Sequence, residues 1–154
     1  MLKIAHHALY NHPLKENHRF PMIKYELIPE QLIMENTCVE NNFFKPKIIS
    51  EENVLFTHDK LYFEKLQNQQ LDRKEIRAIG FPMSEKLIER EKTIVQGTVE
   101  CSLNSLKYGI SMNIAGGTHH AFTNRAEAFC LLNDQAIAAN FLLKNDYCKK
   151  ILIL

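Results

Sequence analysis

Two histidines stand side by side at positions 119 and 120, just behind a glycine pair, in the run G-G-T-H-H-A-F-T-N-R-A-E-A-F-C-L-L-N from Gly116 to Asn133. Imidazole is the side chain whose charge changes nearest neutral pH, so two neighbouring rings can hold different protonation states and divide a proton transfer between them. Gly116 and Gly117 let the backbone turn tightly with no Cβ in the way. In front lies S-M-N-I-A, Ser111 to Ala115, which reads as a buried strand; behind, A-F-C-L-L-N-D-Q-A-I-A-A leads into a helix. Strand, glycine turn, paired imidazoles and helix form a site-like layout, because open α/β sheets bind ligands at the carboxyl ends of their strands. On residues alone, two ordinary surface histidines remain the rival reading.

Other reactive side chains are less well placed. His6-His7 sits in a polar loop without glycines and reads as structural or solvent-facing. His12 and His18 could join an acidic residue around a metal, but their spacing matches no ligand pattern. Cys130 beside a histidine could act as a nucleophile; inside the apolar run A-F-C-L-L it reads instead as a buried small hydrophobe. Arg19 reads as a surface cation and Phe129 as core. No glycine-rich phosphate loop is present, since G-G is followed by neither G-K-S/T nor G-x-x-G.

These residues need a platform, and 154 residues suffice for one domain, 1–154, with its own core. With 45% hydrophobic and 24% charged residues the chain belongs with globular proteins rather than disordered ones. A net charge of +1 gives no electrostatic footprint for nucleic acid or a membrane surface, and neither is expected as a partner. Four scattered cysteines with no C-x-x-C suit free thiols in a reducing compartment, so the expected location is cytoplasmic. No apolar run is long enough to span a bilayer.

Along the chain, Lys3 to Ala5 reads as a first strand, and Pro21 opens a helix that runs to about Met34. Lys47 to Ile49 reads as a second strand, Ser50 starts a helix or turn, and His58-Asp59 opens a helix through Tyr62, Phe63 and Leu66. Gln67 to Asp72 reads as surface loop. Ser84 is an N-cap for a long helix with Leu87, Ile88, Val95, Val99, Leu103 and Leu106 on one stripe, ended by Gly109. Gly97 inside it costs helicity, which predicts a close neighbour. A helix from about Asn133 to Lys144 and a buried parallel strand over Ile151–Leu154 complete a right-handed βαβ unit. A sequence that stops on such a strand predicts an incomplete domain.

The run G-G-T-H-H-A at 116–121, followed by A-F-C-L-L-N-D-Q-A-I-A at 128–138, resembles the histone deacetylase superfamily, including its bacterial, acetoin-utilisation-like and acetylpolyamine-type members. H-P-L-K-E-N-H-R-F-P-M-I-K-Y and F-T-H-D-K-L-Y-F-E-K-L resemble two earlier segments of that family, in the same order. The resemblance implies a three-layer α/β/α arginase-like fold with a mainly parallel sheet, here its N-terminal half. It also implies zinc-dependent hydrolysis of N-acetyl amides on lysine or a small amine. His119 and His120 then match the proton-shuttling pair, Phe129 an aromatic wall of the acyl-lysine tunnel, Gly117 the pocket floor, and Arg19 an arginine near the internal cavity. Ala128 stands where the family usually has Gly. The family's zinc ligands and its transition-state tyrosine have no counterpart in this sequence, so an isolated chain is expected to be inactive, and self-association or a companion chain to complete the sheet. Two rivals are a non-catalytic interaction module built on the half-fold and an unrelated Cys–His hydrolase using Cys130.

Overall fold

The computed structural model describes all 154 residues. Its organising element is a 24-residue helix, α5, Glu85–Tyr108, against which two of the strands, the N-terminal 3₁₀ turn and the last helix pack. Ser84 Oγ accepts the Leu87 amide at 3.1 Å and so fixes the start of α5, and Gly109 ends it at a positive φ. Leu87, Ile94, Val95 and Val99 form its buried stripe. The stripe stops short of expectation: Leu106 is exposed.

Gly97 meets the close neighbour its position predicts. A Cβ there would lie 2.5 Å from the Tyr10 hydroxyl and 2.9 Å from Asn113 Nδ2. The missing side chain lets α5 lie directly against the strand and the N-terminal turn that carry those groups.

Three short strands form a parallel sheet: β1 (Lys3–Ala5) in the centre, β2 (Phe43–Phe44) on one side and β3 (Ser111–Asn113) on the other. The expected second strand at Lys47–Ile49 does not form. Pairing falls earlier, at Phe43–Phe44, and Pro46, which has no N–H to offer a ladder, follows at once. The expected buried strand Ser111–Ala115 is shorter and only partly covered, with Met112 49% exposed, because β3 is an edge strand.

Helix α1, Lys24–Met34, carries Pro29 in its interior. Proline cannot donate to the carbonyl four residues back, so the Tyr25 carbonyl loses its helical partner. His6 Nε2–H takes its place at 3.1 Å. His7 Nδ1 accepts the Leu9 amide at 3.0 Å and caps the 3₁₀ turn Ala8–Tyr10, so both members of the first histidine pair are structural.

Helix α2 (Glu51–Val54) begins at Ser50 and α3 (Lys60–Gln67) at Asp59, as the sequence suggests. Helix α4, Arg73–Ile79, was not expected. A capping box starts it: Asp72 Oδ1 accepts the Lys74 and Glu75 amides, and Glu75 accepts the Asp72 amide. Helix α6, Asp134–Lys144, packs on α5. Ile151–Leu154 does not pair as a strand: no ladder bond joins it to β3, and Leu152 and Leu154 are exposed, so the βαβ unit is not closed. The fold is therefore α/β with a small parallel sheet, a partial version of the expected architecture.

Candidate active site

Parallel pairing sends the carboxyl ends of β1 and β3 to the same edge of the sheet. The Gly116–His120 loop leaves β3 at that edge. A fully buried carboxylate holds it there. Asp134 Oδ1 accepts the Thr118 amide at 2.7 Å; Oδ2 accepts the Gly117 amide at 3.0 Å and the Thr98 hydroxyl at 2.6 Å, while the Thr118 hydroxyl donates to the Leu132 carbonyl at 2.7 Å and accepts the Asp134 amide at 3.2 Å. Three donors on one buried carboxylate offset its desolvation and pin the loop to α5 and α6 together. A Cβ at Gly116 would crowd Asp134, Asn113 and Thr98 at 3.1–3.2 Å, so this turn is built tightly onto its clamp.

Asn133, the N-cap of α6, secures the other side. Its Oδ1 accepts the Ala136 amide at 3.0 Å, while Nδ2 donates to the carbonyls of His119 at 3.2 Å and Ala121 at 3.1 Å. The Asn133 amide donates to His58 Nε2 at 3.0 Å, so the hydrogen of His58 sits on Nδ1 and goes to the Thr123 carbonyl at 3.2 Å. Burial holds the His58 ring below the ordinary imidazole range, which suits this neutral bridging role.

His119 and His120 lie with ring centroids 4.3 Å apart, at the rim of a cleft of about 210 Å³. His119 Nδ1 is 2.9 Å from the Gly117 carbonyl, which can only accept; the hydrogen is therefore on Nδ1, and in the neutral ring the lone pair is on Nε2. That leaves a nitrogen able to take a proton. Both rings are exposed at the cleft mouth, where a substrate could reach them.

One wall of the cleft is aromatic. Phe129 packs 5.1 Å from Phe20 and 4.9 Å from Phe81, centroid to centroid. Its place depends on an unusual turn: Glu127 and Cys130 exchange backbone hydrogen bonds, and the two residues between them, Ala128 and Phe129, have φ of 47° and 69°. Positive φ at both central positions is the pattern of a type I′ turn, which favours Gly and Asn. The amides of Ala128 and Phe129 reach the carbonyls of Ala78 and Ile79 at the end of α4 at 2.9 and 2.8 Å and hold the strained pair. Gly80 makes room for the ring, since a Cβ there would meet Phe129 Cε1 at 2.8 Å.

The structure brings His119, His120, Gly117 and Phe129 together around one cleft. Arg19 is not in its lining; it is exposed, with its guanidinium 4.7 Å from the Phe129 ring centroid. Arg90 of α5 lines the cleft instead, buried and paired with Glu91. Cys130 is buried with its thiol pushed up to about 11 by that burial, which makes it a poor nucleophile. His18 is structural: Nδ1 accepts the Phe20 amide and Nε2–H donates to the Gly80 carbonyl. Sequence reading missed Asn133, Asp134, His58 and Arg90. The N-D pair opening α6 was a visible cap signal, whereas nothing local marked His58 or Arg90 as partners of a loop far along the chain.

A parallel α/β sheet with paired imidazoles and an aromatic cleft at its carboxyl edge defines the class of protein: an α/β scaffold with an open cleft where its strands end. The chain matches the histone deacetylase domain over residues 13–154 and belongs to that family. It is similar to an uncharacterized protein of Picosynechococcus sp., 33% identical over 97% of this chain and 50% of that protein. It is also similar to the acetoin utilization protein AcuC of Staphylococcus aureus, 25% identical over 95% of this chain and 40% of that protein. Among solved structures it resembles an HDAC homolog from Aquifex aeolicus, with a TM-score of 0.74 and 24% identity over 94% of this chain and 41% of that one. The chain thus spans between 40% and 50% of the length of these relatives.

Proposed function

We propose that this chain carries the histidine side of an amide-hydrolysing site that acts on acetylated lysine or a small acetylated amine. The carrying observation is the pair of imidazoles 4.3 Å apart at the mouth of an aromatic cleft, on a turn clamped by Asp134. His119, with its lone pair on Nε2, takes a proton from the attacking water, and the neighbouring ring returns one to the leaving amine. The aliphatic arm of the substrate lies along Phe129. An arginine near the acid product is part of the family resemblance at Arg19; its exposed position over Phe129 leaves that role as a proposal.

Zinc, which the resemblance implies, finds no holder here. No group of three or more His, Cys, Asp or Glu side chains stands close enough to bind a metal. No step is therefore routed through it; its ligands would have to come from residues outside this chain. The open edge of β3, bordered by exposed Ile110 and Met112, is the natural place for a further strand, from a companion segment or a second copy. The four free thiols suit a cytoplasmic location.

The test is release of acetate from an acetyl-lysine peptide and from an acetylated diamine. We expect no turnover by the chain alone and turnover when it is fused to the second half of the Staphylococcus aureus relative. His119→Ala should then cut kcat by about 100-fold or more, the usual scale of one proton-transfer group. A folded, zinc-loaded fusion that hydrolyses neither substrate would overturn the reading, as would zinc-dependent turnover by the chain alone.

A further inference from the structure

The loop that carries the histidine pair ends on a third imidazole. Thr123, three residues past His120, turns its carbonyl to the Asp59 amide at 2.9 Å and to His58 Nδ1–H at 3.2 Å. Asn133, which grips the loop through the carbonyls of His119 and Ala121, gives its own amide to His58 Nε2 at 3.0 Å. One ring thus joins the loop to the helix cap that holds it.

The ring can do this in one protonation state only. Neutral imidazole with its hydrogen on Nδ1 offers one donor and one acceptor, as Thr123 and Asn133 require, whereas imidazolium offers two donors. A proton added at Nε2 would face the Asn133 N–H, and the bond to the cap would be lost. The surroundings favour the neutral form: burial holds His58 down, against the Thr123 bond and the neighbouring Asp59 carboxylate. Tyr62 of α3 stands 5.8 Å away, ring to ring, and the loop and α6 meet His58 with backbone groups. The frame around the ring is held by other bonds. The Tyr62 hydroxyl donates to the Leu131 carbonyl at 2.7 Å, and Asn140 of α6 donates to the Phe56 carbonyl at 3.1 Å and Thr57 Oγ1 at 2.9 Å. Loss of the Asn133 bond therefore frees the cap and the loop while the frame stays.

We propose that His58 is a positioning residue for the histidine pair: its neutral ring fixes, through Asn133, where His119 and His120 stand, and its protonation releases them. The consequence for turnover rests on the amide-hydrolysis reading; the hold on the loop does not. Within that reading, acid disables the site through a buried ring that touches no substrate.

NMR titration of the isotope-labelled chain tests the hold on the loop without any reaction. As pH falls below about 6.5, the amides of His119 to Thr123 and of Asn133 should shift together with the His58 ring signals. His58→Gln cannot titrate, and its side-chain oxygen can still accept the Asn133 amide. In that variant the step should vanish, while the rings of His119 and His120 titrate as before. His58→Phe keeps the bulk and loses both bonds. At about pH 7.5 it should exchange the Phe122 amide about tenfold faster, the scale of one lost hydrogen bond, and Gln should recover most of that protection. In the fusion with the second half of the Staphylococcus aureus relative, Phe should lower kcat by roughly 10- to 100-fold with KM little changed, the scale of a displaced catalytic group. Gln should restore kcat and carry the acid limb of the pH profile to lower pH. Should the Phe variant not fold, the wild-type titration set against His58→Gln decides. Loop amides that ignore the His58 titration, or an acid step that survives in His58→Gln, overturn the proposal. An inactive fusion beside loop amides that follow His58 would remove the reaction and leave the positioning.

Discussion

Ala128 is the residue where local preference and tertiary demand conflict most openly. An L-residue at φ 47° places its Cβ against its own backbone, at a cost of roughly 1–2 kcal/mol that glycine escapes. The resemblance to the deacetylase family marks this position as one that usually holds Gly. Its consequence is backbone strain rather than bulk alone, although the Ala128 methyl does border the cleft. Ala128→Gly should therefore raise unfolding free energy by about 1 kcal/mol, part of the relief being offset by the greater freedom of glycine in the unfolded chain. Denaturant unfolding measures it; no gain, or a loss, would show that the Ala78 and Ile79 hydrogen bonds hold the turn without strain. The sequence could show that position 128 departs from a family pattern. It could not show why, because φ is decided by the pairing of Glu127 with Cys130 and the docking on α4.

At the scale of the element, α5 decides where the site stands. Alanine is the better helix former by about 1 kcal/mol, so at an exposed site Gly97→Ala would stabilise α5. Here the added methyl meets the Tyr10 hydroxyl and Asn113 Nδ2 well inside contact distance. Overpacking of this kind typically costs 1–3 kcal/mol, so the net change should be a loss of about 1 kcal/mol. The same variant should shift the amide signals of Asn113 through Thr118, since Asn113 donates to the Ile94 carbonyl and the Thr98 hydroxyl and begins the histidine loop. Helix α5 was legible from Ser84, Gly109 and its apolar stripe, all local signals. Helix α4 could have been read from Asp72 and Glu75. The strand expected at Lys47–Ile49 failed because pairing depends on what lies opposite, and β1 offers its ladder to Phe43 and Phe44.

For the whole molecule, buried histidines couple stability to pH. His6, His12 and His58 are all held below the ordinary imidazole value of 6.5, chiefly by burial. The unfolded chain therefore takes up these protons first as pH falls. Their contribution is fully present above pH 6.5 and is lost as pH drops below it. The melting temperature should fall by about 5 °C or more between about pH 7.5 and pH 5, beyond what the carboxylates alone would cause. His58→Gln should lower the melting temperature at the upper pH and flatten the dependence below it. An unchanged slope in that variant would mean that His58 does not carry the coupling.

The sequence by itself determined the candidate residues and their local supports: paired imidazoles behind two glycines, an aromatic ten residues on, the caps of the long helices, and a motif specific enough to indicate a family. Each of these rests on neighbours in the chain. Tertiary structure alone decided which buried groups hold the pair in place and what else shares its cleft. Asp134 reaches Thr98 across 36 positions, His58 reaches Asn133 across 75, and Arg90 reaches Tyr10 across 80. A buried polar group must find its partner wherever the fold brings one within hydrogen-bond distance, and no periodicity in the chain records that choice.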